Sequence, residues 1–190
     1  MPKHPISRFP VPKIDSLPKD IQECILAVQE KAGFVPNVFL VLAHRPEEFR
    51  AFFAYHDALM EKKDSGLSKA EREMIVVATS NANACQYCVI AHGAVLRVRA
   101  KDPLVADQVA INYLKADITE RQKAMLDFAM QVAMEPGAVS NDDFETLRGH
   151  GFTDEDIWDI AGITAFFGMS NRMANVTGMR PNDEFYTMGR

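Results

Sequence analysis

The sequence predicts an all-α fold of roughly eight helices, and three observations support this. Apolar residues recur at the i, i+3, i+4, i+7 spacing of one helix face, as in Ile21, Cys24, Ile25 and Val28. Pairs of Ser or Thr with an acidic or amide residue three positions later have the pattern of helix-starting capping boxes. No segment shows the apolar–polar alternation of a strand. We therefore expect one helical domain over residues 1–190.

Punctuating residues assign the elements in order. Residues 1–17 are rich in proline and are expected to form an extended arm, because proline biases its predecessor toward extended backbone. Such an arm either wraps a neighbouring subunit or is a loose terminus. Residues 180–190 are expected to form a tail. Between them, helices are predicted from Pro18 to Gly33, up to Ala43, from Pro46 to Met60, Ser68 to Asn81, Cys85 to Arg99, Asp102 onward, Thr119 to Met134, Ser140 to Arg148 and Thr153 to Val176.

Composition and charge exclude several classes of protein. Hydrophobic residues make up 47% and charged residues 25%, as in ordinary globular proteins. The net charge of −5 argues against a nucleic-acid binder, which usually carries a basic footprint. No run approaches the roughly 18 apolar residues of a membrane span. With three cysteines and no apparent targeting segment, a reducing cytoplasmic compartment is expected.

One segment, residues 83–92, stands out chemically. Cys85 and Cys88 are three positions apart near a predicted helix start, where the helix dipole stabilises thiolate, the reactive form. His92 follows Cys88 by four residues, so the two side chains share one helix face. A neighbouring imidazole can take the thiol proton and leave an activated nucleophile. The segment therefore predicts a reactive cysteine site.

Two other interpretations of this segment stay open. The cysteines could be buried by chance, or Cys85, Cys88 and His92 could be three ligands of a zinc ion. Structural CxxC zinc sites usually pair with a second Cys or His cluster, and the remaining cysteine and histidines show no such spacing. Cys24 lies in an apolar stripe and is expected to be a small buried residue. His56 lies on the buried face of its helix and is expected to be a core histidine with a satisfied ring.

The spacing resembles a known family. Glu73, eleven residues, Cys85-Gln86-Tyr87-Cys88, three residues and His92 resemble the signature of the alkylhydroperoxidase D / carboxymuconolactone decarboxylase family, in its peroxidase-related branch. The resemblance extends through residues 33–37 and 171–175, and so spans most of the chain. It implies an all-α fold, in agreement with the helix prediction.

The resemblance also implies a role for each site residue. Cys88 would be the peroxidatic cysteine that attacks the O–O bond and becomes a sulfenic acid. Cys85 would be the resolving cysteine, which condenses with it to a disulfide and receives electrons from a reductant. His92 would relay the proton of Cys88, and Glu73 would orient His92 and balance its charge. The implied partners are an organic hydroperoxide and a thiol-carrying reductant protein, with no cofactor and a homo-oligomer, trimer or hexamer.

The sequence departs from alkylhydroperoxidase D at one position. That protein has a second histidine just before the second cysteine of the motif, and here the position is Tyr87. Tyrosine cannot act as a base near neutral pH, so a shorter relay or a different substrate is expected. Typical carboxymuconolactone decarboxylases lack the cysteine pair, which argues against decarboxylation.

Four functions follow from these residues. The first is a thiol peroxidase acting through Cys85 and Cys88. The second is a disulfide reductase or redox sensor that uses the same cysteines without a peroxide site. The third is a zinc-binding protein. The fourth is a lactone decarboxylase in which His92 and Glu73 act as acid and base, independent of both cysteines.

Overall fold

Ten α-helices and three short 3-10 turns make up the described part of the chain, residues 5–190, in the computed structural model. No strand occurs in these residues, so the predicted all-α class is confirmed. The helices are α1 Lys19–Ala32, α2 Asn37–Leu42, α3 Pro46–Met60, α4 Lys69–Ala82, α5 Gln86–Ala100, α6 Val105–Asn112, α7 Glu120–Met134, α8 Asn141–Gly149, α9 Asp154–Thr177 and α10 Glu184–Thr187. The 3-10 turns are Ile14–Ser16, Tyr113–Lys115 and Pro136–Ala138.

Helix α4 is the centre of the bundle. Every residue from Glu71 to Ser80 is buried, whichever face of the helix it occupies. A helix buried on all sides must be covered by neighbours all round, and α5, α6, α7 and α9 provide that cover. The largest apolar cluster, which includes Ile75, Leu126 and Ile160, lies between α4, α7 and α9. Side chains carried by α4 are therefore fixed in position.

Helix starts follow the predicted capping chemistry. In α4, α7 and α9, the hydroxyl of Ser68, Thr119 or Thr153 accepts the third backbone N–H, and the side chain there accepts the N-cap N–H in return. Since both bonds are local, these boundaries depend on residues within one turn. The prediction for α6 was wrong: the helix begins at Val105 rather than at Pro103. Asp102 Oδ1 accepts the N–H of Leu104, and this turn delays the helix.

Both chain ends pack on the rest of the molecule. Arg8 donates its backbone N–H to Thr177 O (2.6 Å), and its guanidinium donates to Asn175 O (2.8 Å), so the arm caps the end of α9 of its own chain. Residues 1–4 of the predicted arm lie outside the described part. The predicted tail contains α10, which the sequence analysis missed. Arg97 holds α10 against α5 by donating to the carbonyl oxygens of Phe185 (2.8 Å) and Met188 (2.9 Å).

Among the described residues, no helix is long and apolar enough to cross a membrane.

Arg72 closes the loop between α3 and α4. Its guanidinium donates to the carbonyl oxygens of Met60 (2.9 Å), Lys62 (2.9 Å) and Leu67 (3.2 Å) while the side chain stays buried. A buried charge on a central helix is tolerated because these carbonyl oxygens replace water.

We expect Arg72→Met to lower the free energy of unfolding by about 3 kcal/mol, because three carbonyl oxygens lose a donor at roughly 1–3 kcal/mol each in the worst case. Urea unfolding followed by circular dichroism measures this. The control is Arg45→Met, which removes an exposed ion pair with Glu48 and should change the free energy by less than about 1 kcal/mol. Equal losses in the two variants would contradict this account of Arg72.

Candidate active site: a cysteine pair and a carboxylate–histidine pair beside an apolar cavity

Cys85 and Cys88 lie at the N-terminus of α5 and form a disulfide, with Cα atoms 5.4 Å apart. Cys85 is the N-cap residue, and its Sγ accepts the backbone N–H of Cys88 at 3.3 Å. Both are almost fully buried, with exposures of 1% and 2%. The predicted helix start and the proximity of the two sulfurs are therefore present. The positive end of the helix dipole points at the pair and favours thiolate when the cysteines are reduced.

The loop before Cys85 is held by helix α9. The Nδ2 group of Asn171 donates to Ser80 Oγ (2.9 Å), and Asn171 Oδ1 accepts from Asn83 Nδ2 (3.0 Å). Ala84 has φ +50, a left-handed conformation that is unfavourable for a residue with a Cβ. The N–H of Cys85 then donates to Ser80 O (2.9 Å). These bonds fix where α5 begins, and hence where both sulfurs lie.

His92 and Glu73 form the predicted pair. His92 Nδ1 lies 2.8 Å from Glu73 Oε2, and both side chains are largely buried. A carboxylate can only accept, so Nδ1 carries the hydrogen and Nε2 is left as the basic nitrogen. The edge of Phe167 packs against the imidazole, with ring centroids 4.7 Å apart. Because Glu73 is on the buried helix α4, the imidazole orientation is set by the core.

An apolar cavity of about 510 Å³ lies against this pair. Helices α1, α2, α3, α5, α9 and α10 contribute its walls, which are mostly aromatic and aliphatic. Cys88 and His92 are among the lining residues, and Cys85 is not. The volume is in the range of small-molecule sites. The cavity therefore distinguishes two cysteines that the CxxC spacing leaves equivalent.

Tyr87 takes no part in proton transfer near neutral pH. Its hydroxyl accepts the N–H of Val38 at 3.2 Å. Burial raises the pKa of Tyr87 far above its ordinary value, so the phenol stays protonated. This agrees with the expectation that tyrosine at this position supplies no base.

Two secondary predictions meet different outcomes. Cys24 packs on the apolar cluster beneath α1 but is only partly buried, and burial raises its pKa. The prediction that His56 is a core residue was wrong, because its side chain, 25% exposed, lines the same cavity as Cys88. The helical pattern placed His56 on an inward face, but only the packing of α3 beside α9 opens a cavity there. As for metals, residues 5–190 hold no group of three His, Cys, Asp or Glu side chains placed to bind an ion.

The fold and the site define an all-α protein with a disulfide-forming cysteine pair. The model of the carboxymuconolactone decarboxylase family matches residues 46–110. An uncharacterized peroxidase-related protein from Ralstonia eutropha JMP134, described as an alkylhydroperoxidase AhpD core, is 73% identical over 98% of each chain, with a TM-score of 0.97. The chain therefore belongs to the alkylhydroperoxidase D / carboxymuconolactone decarboxylase family.

Two further solved structures are similar. A peroxidase-related protein from Silicibacter sp. TM1040 is 42% identical over 100% of this chain and 99% of its own, with a TM-score of 0.93. A protein from Agrobacterium tumefaciens, described as a proposed antioxidant defence protein AhpD, is 27% identical over 72% of this chain and 92% of its own, with a TM-score of 0.64. No protein of curated function matches significantly.

We expect Asn171→Ala to lower the free energy of unfolding by about 2 kcal/mol, because Ser80 and Asn83 lose buried partners at roughly 1 kcal/mol each. Disulfide formation between Cys85 and Cys88 should also slow, since the loop that positions Cys85 is released. Urea unfolding and thiol counts after addition of an oxidant measure the two effects. Asn141→Ala, at an exposed position in α8, is the control. A variant as stable as Asn141→Ala, with unchanged disulfide formation, would contradict this role of Asn171.

Proposed function

We propose that this protein is a thiol-dependent peroxidase that reduces organic hydroperoxides through Cys88 and Cys85. The observation that carries the proposal is the asymmetry of the site. Cys88 shares an apolar cavity with His92, while Cys85 lies outside the cavity lining within disulfide distance of Cys88. The peroxidase-related and antioxidant descriptions of the similar structures support an oxidoreductase of this kind.

The first step oxidises Cys88. His92 Nε2 takes the proton of the Cys88 thiol, and the thiolate attacks the terminal oxygen of the hydroperoxide. A bond forms between sulfur and that oxygen, and the O–O bond breaks. Cys88 becomes a sulfenic acid, and the alkoxide leaves as an alcohol after gaining a proton. Glu73 holds His92 in the required tautomer and forms an ion pair with the imidazolium.

The second step forms the disulfide. The Cys85 sulfur attacks the Cys88 sulfenic acid, a sulfur–sulfur bond forms, and water leaves. A dithiol reductant then restores both thiols by exchange and is itself oxidised to a disulfide. Because Cys85 does not line the cavity and is 1% exposed, the reductant needs local opening at the N-terminus of α5.

A disulfide reductase or redox sensor is the second candidate function. It is favoured by the N-cap position of Cys85, where the helix dipole and the N–H of Cys88 stabilise a thiolate suited to exchange. Such a protein would exchange readily with disulfides but react with hydroperoxides no faster than free cysteine. Zinc content of the purified protein tests the metal-site alternative, and lactone decarboxylation by a variant lacking both cysteines tests the remaining one.

The decisive measurement is a thiol count after one equivalent of organic hydroperoxide is added to the reduced protein under anaerobic conditions. In the wild type, the count under denaturing conditions should fall rapidly from three to one, because Cys24 is not part of the pair. Peroxide consumption should survive in Cys85→Ser for one turnover and disappear in Cys88→Ser. A Cys88→Ser protein that still consumes peroxide would refute the proposed function.

We expect Glu73→Gln to slow Cys88 oxidation about tenfold. Glutamine can still accept from Nδ1, but replacing the carboxylate loses about 1.4 kcal/mol of charge-assisted hydrogen bonding to the imidazolium, which corresponds to tenfold in rate. Stopped-flow mixing with hydroperoxide followed by thiol quenching measures the rate constant. Glu145→Gln, on the exposed face of α8, is the control and should react like the wild type. An unchanged rate in Glu73→Gln would remove Glu73 from the relay.

A further inference from the structure

His56 is a second imidazole in the cavity that holds Cys88. It comes from α3, whereas Cys88 and His92 come from α5. Its Nδ1 lies 2.9 Å from Asp57 Oδ1, and three phenylalanine rings surround it. The ring centroids of Phe53, Phe166 and Phe167 lie 6.3, 6.1 and 6.4 Å from that of His56. His56 is therefore a polar group set in an aromatic wall.

The two histidines have parallel surroundings. Each has a carboxylate on Nδ1, which leaves Nε2 free for other chemistry. Both contact Phe167, with centroid distances of 4.7 Å for His92 and 6.4 Å for His56. One difference matters: the side chain of His56 is 25% exposed and that of His92 is 18% exposed, so both rings retain some access to solvent protons.

The geometry of the displacement calls for a proton donor across the cavity from Cys88. A thiolate that cleaves an O–O bond attacks along that bond, so the departing oxygen lies on the far side of the attacked oxygen from the sulfur. His92 is on the same helix face as Cys88, which suits removal of the thiol proton. A group from another helix is better placed to meet the departing oxygen, where negative charge develops.

The remaining polar groups of the cavity lining are poorer donors. The Tyr87 hydroxyl is engaged by the N–H of Val38, and burial raises its pKa. Ser170 carries an aliphatic hydroxyl, which does not release a proton near neutral pH. Lys31 is exposed on α1, and lysine ordinarily holds its proton well above neutral pH. Histidine is the residue type that donates protons efficiently near neutral pH.

We propose that His56 is the general acid that protonates the departing alkoxide when Cys88 is oxidised. This rests on the proposed peroxidase function. His92 takes the thiol proton, the Cys88 thiolate bonds to the terminal oxygen, and the other oxygen leaves with the O–O electron pair and the proton of the His56 imidazolium. His92 then releases one proton to solvent and His56 regains one. The net change is thiol plus hydroperoxide to sulfenic acid plus alcohol.

Leaving-group dependence tests this role. Tert-butyl hydroperoxide expels a strongly basic alkoxide, which needs a proton, whereas peroxyacetic acid, of similar size, expels acetate, which does not. In a Cys24→Ser background, the second-order rate constant for loss of the remaining two thiols is measured with each oxidant. His56→Gln should slow tert-butyl hydroperoxide roughly 100-fold, the lower range for general acid catalysis, and change peroxyacetic acid by less than about threefold.

The control is His150→Gln, because His150 lies in the turn between α8 and α9, outside this cavity. An equal loss with both oxidants would overturn the proposal, since His56 would then support the cavity or the thiolate rather than the departing oxygen. An unchanged rate with both oxidants would overturn it as well. If the unsubstituted protein reacts with neither oxidant faster than free cysteine, the peroxidase function itself fails, which is a separate result.

The unsubstituted protein offers a second test that does not depend on folding of the variant. Its rate constants are compared across alkyl hydroperoxides whose alcohols differ in acidity. Proton donation to the departing oxygen should make the dependence on alcohol acidity clearly shallower than that of free cysteine. An equally steep dependence would overturn the role of His56.

Discussion

The complete burial of α4 is the constraint on which the rest of the structure depends. Its residues from Glu71 to Ser80 are enclosed by neighbouring helices, so each polar group on this helix needs a partner within the protein. Glu71 pairs with Arg121, Arg72 with the carbonyl oxygens of the α3–α4 loop, and Glu73 with His92. Two of these contacts stabilise the bundle. The third places a carboxylate on a histidine beside a cysteine.

The reactive end of α5 is defined by contacts with α4 and α9 together. The hydrogen bonds of Asn171 hold Ser80 and Asn83, and Ala84 adopts its left-handed conformation between them and Cys85. Unfavourable backbone conformations persist where surrounding contacts over-determine them, and they concentrate at functional sites. Here the result is that Cys85 caps the helix while Cys88, one turn later, faces the cavity.

The cavity changes the chemistry available to these groups. Aromatic and aliphatic walls exclude water, and charge interactions strengthen where the dielectric is low. A proton held between Glu73 and His92 therefore has more influence on a neighbouring thiol than the same groups would have in solution. The walls also suit an apolar substrate, which agrees with an organic rather than an inorganic peroxide. The family contains decarboxylases by name, and the buried disulfide-forming pair is the feature that favours redox chemistry here.

The sequence by itself determined what depends on local spacing. Capping boxes at Ser68, Thr119 and Thr153 predicted three helix starts because their bonds close within one turn. The same locality put Cys85, Cys88 and His92 on one helix. The motif spacing also identified Glu73, by resemblance to a family rather than by periodicity. The late start of α6 and the short helix α10 were missed, since weak local signals there are overridden by Asp102 and Arg97.

Only the tertiary structure decided which groups meet across helices. Cys88 rather than Cys85 faces the cavity, His56 leaves the core to line it, and Asn171 holds a loop some 90 positions away along the chain. The N-terminal arm, predicted to wrap a neighbour or to be loose, packs in its described part on α9 of its own chain. Helical periodicity reports that a face is buried, but not whether it meets another side chain or an open cavity. That distinction depends on how α3, α5 and α9 pack, which residues far apart in sequence determine jointly.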